Sequence, residues 1–499
     1  MGCFGNLMSG FAIVIQPVNL VYCFLGVLVG TIVGVLPGIG PVGAMAILLP
    51  STFGVPPVTG VIMLAGIYYG AMYGGSTTSI LVNIPGEAAS IVTCLDGYKM
   101  ARQGRAGPAL GIAAFGSFIG GTLSVIGLML LVYPLAELAI RFGPPEYFAL
   151  MVMGLTLVTY LASSSLLKAL IMVVMGLILG CTGADVISGK YRFIIGIAEL
   201  RDGVPLVPMV MGLFGIGEVL INLEKTGETS FLKTKIKNLF PNLEDWKKSA
   251  GPILRGSILG FFLGIIPGGG GILSSFVDYS MEKRISKYPE KFGTGVIEGV
   301  AGPETANNAA CAGSLIPLIA FGIPSNIVIA LLLGALLIHG ITPSPLFIEK
   351  YPEIFWGTVA SMYLGNVMLL VLNLPLIPLW VKLLRLPYRI LFPIILLFCL
   401  IGVYSINNSA FDIFAMIFFG VAGYVLKKVD YEFAPLALAF VLGPILENTF
   451  RQSLIMSDGS LLIFFKKPIV AVFIGISIAL LVSGGLGTIR KTRRKLTES

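Results

Sequence analysis

Residues 109–133 run without one charged side chain. About 20 consecutive apolar residues are enough for a helix to cross the hydrocarbon core of a bilayer, so a stretch of this kind constrains the fold more than any local motif. The segments 164–182 and 466–486 are nearly as apolar. Composition agrees: 56% of the 499 residues are hydrophobic and only 12% are charged, whereas soluble domains carry about a quarter. The fold class expected is an all-α polytopic membrane protein with about ten to twelve membrane segments. No soluble domain of ordinary size is left over.

The net charge of +8 does not point to nucleic acid, because Lys and Arg sit in short loops between apolar segments rather than along a groove. The tendency of cytoplasmic loops to collect cations explains them. Cys3, Cys23, Cys94, Cys181, Cys311 and Cys399 are scattered, with no CxxC pair and no His-rich neighbourhood. No metal site, cofactor or disulfide framework is therefore expected. Met1 to Gly10 lacks the basic start of a cleaved signal peptide, so the first apolar stretch is expected to stay in the protein.

A Gly/Pro signature is used twice. Gly26, Gly30 and Gly34, followed by Pro37, Gly38 and Gly40, match Gly256, Gly260 and Gly264, followed by Pro267, Gly268 and Gly270, at a constant offset of 230. Glycines four apart leave a bare stripe on which another backbone can lie closely inside a membrane. The Pro-Gly that follows removes an amide donor and admits positive φ, so the helix stops. Free backbone at that depth survives only inside protein or beside a water-filled cavity. Further interruptions are expected at Tyr68–Gly70, Gly74–Thr78 and Asn83–Gly86, and in the second half at Pro303–Asn308, Gly313 and Gly322–Ser325. Pro85 and Pro324 set this second offset at 239.

Loop charge orients the halves. Thr52 to Pro57 carries no charge, whereas the matching loop has Lys283, Arg284, Lys287 and Lys291; after the second motif the pattern flips, with Lys99, Arg102 and Arg105 against Lys350 alone. Equivalent loops should then lie on opposite faces, which makes the repeat inverted. The roughly 30 residues of 252–281 cannot cross twice, so they form a re-entrant hairpin. The expected organisation is a first repeat over 1–224, with hairpin 22–53 and broken helix 58–95. A basic cytoplasmic linker spans 225–250. The second repeat covers 251–430, with hairpin 252–281 and broken helix 295–341, and membrane helices with a basic cytoplasmic tail fill 431–499.

Inverted repeats with discontinuous helices place substrate near mid-membrane between the breaks. Helix N-termini there suit an anion, and freed carbonyls suit a cation. The residues expected to bind a carboxylated substrate are Gly38, Gly40, Ser76, Thr77, Thr78, Asn83, Pro85, Gly86, Gly268, Gly270, Asn307, Asn308, Pro324, Ser325 and Asn326. Pro37, Pro267, Glu304 and Asn308 are the candidates for ion coupling, Glu304 because a carboxylate inside a membrane is costly. Glu298 lies in the same motif, Asp96 is read as the anchor of a cytoplasmic turn, and His339 as an interfacial residue. No catalytic residue is expected: one His and no Gly-x-Gly-Asp leave no intramembrane protease site.

The runs GVLPGIGPVGAMAILLP (34–50), GIYYGAMYGGSTTSILVNIPGEAAS (66–90), LDGYKMARQGRAGPAL (95–110), RFIIGIAELRDGVPLVPMVMGLFGIGEVL (192–220), EKFGTGVIEGVAGPETANNAACAGSLIPLIAFGIPS (290–325) and ALLIHGITPSPLF (335–347) resemble the large membrane subunit, TctA, of tripartite tricarboxylate transporters. The resemblance covers about residues 20–450. It implies a secondary transporter of a bacterial or archaeal cytoplasmic membrane, driven by a Na⁺ or H⁺ gradient and working with a small four-helix membrane subunit and a periplasmic binding protein that delivers a citrate-like carboxylate. The expected mechanism is alternating access, elevator-like, around the mid-membrane site. A passive anion channel with a broken-helix filter is the alternative. The family's Pro-Gly motifs fall on Pro37-Gly38, Pro85-Gly86 and Pro267-Gly268, and its Asn pair on Asn307-Asn308. Two positions depart from its usual pattern: Ser325 stands where members read Gly after Ile-Pro, and Ser344 where they read Gly between prolines.

Overall fold

The computed structural model describes residues 2–36, 40–162, 165–224, 238–383 and 388–497. Pro37 and Gly38, and residues 225–237 of the basic linker, lie outside the described residues. The described chain is almost wholly helical. Its one sheet is a pair of two-residue antiparallel strands, β1 (Gly183–Ala184) and β2 (Tyr191–Arg192), with Gly183 opposite Arg192.

The first part of the chain contains α1 (Cys3–Val14), α2 (Pro17–Val35), α3 (Gly40–Leu48), α4 (Pro57–Val82), α5 (Ile91–Arg102), α6 (Ala106–Ile140), α7 (Pro144–Leu161) and α8 (Leu166–Gly180). After the β-hairpin, α9 (Leu206–Val210) passes through a π turn at Met211–Ile216 into α10 (Gly217–Glu224). The second part has α11 (Leu243–Ile265), α12 (Gly270–Ile285), α13 (Glu298–Phe321), α14 (Ile327–Ile338), α15 (Phe347–Lys350), α16 (Pro352–Asn373), α17 (Ile377–Leu383) and α18 (Tyr388–Asn407). It closes with α19 (Ala410–Lys428), α20 (Phe433–Met456), α21 (Ile463–Lys466) and α22 (Pro468–Thr497).

Six described helices are long and apolar enough to cross a bilayer: α2, α4, α6, α16, α19 and α20. Shorter apolar helices accompany them, α8, α14 and Pro468–Ser483 of α22 among them. The fold is an all-α polytopic membrane protein. Its layers are readable from burial. In α4, 94% of the apolar window is buried, whereas in α19 it is 28%, with Phe414 and Phe418 turned outward. A helix apolar all round belongs in the middle, and outward apolar side chains that would be a liability in water suit a lipid-facing wall.

The glycine stripes decide which helices pair. A Cβ on Gly26, Gly30 or Gly34 of α2 would run into the α4 backbone at Met63, Ile67 and Ala71; on Gly256, Gly260 or Gly264 of α11 it would meet α13 at Gly302, Ala306 and Ala310. The glycines stand 230 apart and their opposing residues 239 apart. Close backbone approach, rather than hydrophobic driving force, is what holds helices together in lipid. Element boundaries share these offsets: α2 and α11 end at Val35 and Ile265, and α3 and α12 begin at Gly40 and Gly270. Likewise α4 and α13 both end in a left-handed residue, Asn83 (φ 59°) and Gly322 (φ 70°).

Two expectations are corrected. Tyr68–Gly70 and Gly74–Thr78 do not interrupt a helix, because α4 runs unbroken to Val82; likewise α13 runs unbroken through Pro303–Asn308 and Gly313. Glycine here serves packing rather than termination. The helix entering the second hairpin also starts before residue 252, at Leu243. Asn242 caps it, its Oδ1 accepting the Asp245 amide at 2.8 Å, in the reciprocal pattern that makes a strong helix start.

Candidate functional site

The chain breaks in four places near one another, and one cavity touches all of them. Its volume is ≈ 440 Å³, within the range that holds a small ligand. Gly40 and Pro41 reach it from the first hairpin, Gly268 to Gly271 from the second, Pro85, Gly86 and Glu87 from the end of α4, and Asn326 and Ile327 from the start of α14. Tyr68 and Met72 of α4, Val158 of α7 and Leu438 of α20 complete the walls.

Each break follows from its sequence. At the second tip the chain reverses with φ +81° at Gly268 and +65° at Gly270, values in which a side chain is strained. The Gly268 amide donates to the Ser325 carbonyl at 2.7 Å, which ties this tip to the segment between α13 and α14. The Ser325 hydroxyl donates to the Ser314 carbonyl at 2.9 Å. Asn326 caps α14, its Oδ1 accepting from the Ile329 amide at 3.0 Å, while Nδ2 donates to Ser314 Oγ at 3.1 Å and to the Tyr68 hydroxyl at 3.4 Å.

Helices α3, α12 and α14, and the short 3₁₀ turn Ala88–Ser90 leading into α5, therefore all begin at the cavity. The first amides of a helix lack intrahelical acceptors and carry the positive end of its dipole. In α12 no side chain caps them. One cation, Lys427, is among the described lining residues, and it is paired with Glu218. Lys427 and the carboxylates Glu87 and Glu218 are thus the charged side chains of the described lining, beside the backbone amides of the helix starts.

The remaining expected residues divide. Gly40, Pro85, Gly86, Gly268, Gly270 and Asn326 line the cavity. Asn83 forms the left-handed end of α4, Pro324 and Ser325 are buried between α13 and α14, and Pro267 is buried behind the tip against Gly154. Ser76, Thr77 and Thr78 sit within α4 away from the cavity. Ser76 donates to the Tyr73 carbonyl at 2.7 Å, and Thr78 to the Val35 carbonyl at the C-terminal end of α2 at 2.6 Å. Asn308 donates to Ser117 Oγ at 2.7 Å and, like Glu304, lies in α13 away from the cavity; Thr93 donates to Glu304. The Oδ1 atoms of Asn307 and Asn308 and Oε2 of Glu304 are buried with no hydrogen-bond partner among the described residues.

Glu87 was missed by sequence reasoning. It lines the cavity, its Oε2 accepts from the Ala89 amide at 2.6 Å, and its Oε1 accepts from Asn307 Nδ2 at 3.4 Å. The signal was present: a carboxylate directly after Pro85-Gly86 is an acidic N-cap. Asp96 lies within α5 and anchors a segment of the second half. It is buried and accepts from the amides of Gly293, Gly295 and Val296 at 2.8–3.0 Å and from the Tyr279 hydroxyl at 2.8 Å.

Comparison with known proteins then decides the lineage. The model of the tripartite tricarboxylate transporter TctA family matches residues 20–438. The chain belongs to this family. Its members are transporter membrane subunits, so the cavity belongs to a transport protein. Among its relatives is an Agrobacterium vitis protein named "Uncharacterized 52.8 kDa protein in TAR-I ttuC' 3'region", 51% identical over 496 residues, 99% of each chain. Another from Agrobacterium vitis, "Uncharacterized protein in TAR-II ttuC' 3'region", is 52% identical over 234 residues, 47% of this chain and 97% of its own. No solved structure matches this TctA-family chain.

Proposed function

We propose that this chain is the large membrane subunit of a secondary transporter that takes a tricarboxylate or related carboxylate from a binding protein and imports it down a cation gradient, by alternating access around the cavity. The convergence of helix N-termini from all four breaks on one ≈ 440 Å³ cavity, that of α12 without a side-chain cap, carries the reading, since such ends bind carboxylates without fixed positive charge. An inverted repeat is supported by which loops meet. Residues 96–105 of the first half touch the basic loop of the second through Asp96–Gly293 and Gln103–Thr294. Thr52 lies close to Gly60, near His339. In each case the neighbours are non-equivalent loops, as opposed orientations require.

The partners proposed are a small four-helix membrane subunit and an extracytoplasmic binding protein. Reconstituting the chain with the products of adjacent reading frames in proteoliposomes tests the function. Accumulation of a labelled carboxylate against its gradient is expected only when a cation gradient is imposed. Equilibration alone would identify a passive pore.

A further inference from the structure

The second hairpin carries a buried polar stripe that the substrate cavity does not use. Gly270, Ser274, Asp278 and Glu282 recur every four residues along α12 and all are buried, so they share one inward face. The stripe starts at the cavity, which Gly270 lines, and ends beside the basic loop. Asp278 lies eight residues along it, about 12 Å from the tip. At the 230 offset the first hairpin has Ala44 and Leu48 in place of Ser274 and Asp278. The stripe belongs to one half only.

Its two carboxylates have opposite surroundings. Glu282 is held by Arg255 in a fork, Nε to Oε1 at 2.7 Å and Nη2 to Oε2 at 2.6 Å. Asp278 is fully buried, and neither of its oxygens has a hydrogen-bond partner among the described residues. Both oxygens face glycine: a Cβ on Gly256 of α11 would stand 3.3 Å from Oδ1, and one on Gly302 of α13 would overlap Oδ2. The charged groups acting on it are Glu282 and Arg255, which are committed to each other. A carboxylate ion there has lost its hydration without gaining a hydrogen bond, and the nearby Arg255 is forked to Glu282, so taking up a proton relieves the cost of burial. A hard metal cation needs several oxygens around it, and among the described residues no group of three or more His, Cys, Asp or Glu side chains gathers to hold one.

We propose that Asp278 is the proton-binding group that couples carboxylate movement to a proton gradient. The proposal rests on the transporter reading. A proton bonds to one Asp278 oxygen as the O–H forms and leaves as that bond breaks. Ser274 lies between it and the cavity, and Glu282 between it and the loop.

The test uses the complete complex in proteoliposomes with the membrane potential clamped, and a labelled carboxylate that the wild type exchanges. A one-unit pH gradient, acid outside, should drive about tenfold accumulation per proton in the wild type. Asp278→Asn should exchange label across the membrane yet accumulate none. Accumulation by Asp278→Asn as in the wild type, or a wild type that responds to a Na⁺ gradient and ignores pH, overturns the proposal and leaves the transporter intact. A wild type that accumulates nothing under any gradient defeats the transporter reading instead. If Asp278→Asn fails to assemble, Asp278→Glu decides: the pH midpoint of accumulation should move, and an unmoved midpoint overturns the proposal.

Discussion

Asn326 holds the cavity wall with both ends of its carboxamide. Its oxygen caps α14 and its nitrogen reaches Ser314 and Tyr68, so the start of α14 is fixed relative to α4 and α13. Removing an N-cap costs about 1 kcal/mol, and freeing the α14 amides should blur the anion site. Asn326→Ala is expected to lower the melting temperature modestly and to weaken carboxylate binding by about tenfold, roughly 1.4 kcal/mol. Equilibrium binding and thermal unfolding on the same preparation check it; unchanged affinity with a lowered melting temperature would make Asn326 structural only. Residue type alone did not distinguish such roles. Ser, Thr and Asn near glycine were all plausible ligands, yet Thr78 is turned to a backbone carbonyl of α2. Glu87, one residue past Gly86, reaches the cavity.

Helix pairs carry the next level of stability. Because α11 rests on the Ala306 backbone of α13 at Gly260, no side chain fits between them. Gly260→Leu should prevent accumulation of folded protein, seen as loss of the monodisperse peak in detergent chromatography. Gly475→Ala, where a new Cβ meets nothing within 4 Å, should behave as wild type. The loop between α8 and α9 depends on charge instead. Asp185 accepts from the Ile187 amide and the Ser188 hydroxyl at 2.9 and 2.7 Å, and Arg451 of α20 grips both its oxygens at 2.9 Å. These contacts hold its carboxyl well below the usual range, the Ile187 amide first, then Ser188 and Arg451. A lowered value contributes stability above the unfolded pKa, which is lost as pH falls through the folded one. The loop should thus stay pinned at neutral pH and loosen only below about pH 4. Arg451→Gln should loosen it at neutral pH, read as faster tryptic cleavage at Lys190.

At the scale of the whole molecule the question is orientation. Gly54 and Lys287 are both exposed and occupy corresponding loops of the two halves. With native cysteines replaced, Gly54→Cys and Lys287→Cys should react with an impermeant maleimide from opposite sides of the membrane. Labelling of both from one side would contradict inversion. In the folded chain the interruptions at Asn83–Gly86 and Gly322–Ser325 lie next to the hairpin tips, and lateral helices such as α7, α19 and α20 close the cavity around them. The carboxylate of Asp278, unremarkable as a letter in the chain, acquires meaning only when α11 and α13 cover it with glycine.

Composition alone required a helical membrane protein, because so few charges cannot clothe a soluble surface. Spacing alone located the doubled glycine stripes and the Pro-Gly stops, since glycine and proline act through local backbone geometry. What tertiary structure decided was which of these breaks converge, that α4 and α13 continue through their glycines, and which polar groups were already satisfied. Those outcomes depend on contacts between residues far apart in the chain, as in Asn326 with Tyr68 and Gly26 with Met63 set against Gly256 with Gly302. A hydrogen-bond donor is claimed by whichever acceptor packing brings to it, and sequence spacing does not carry that information.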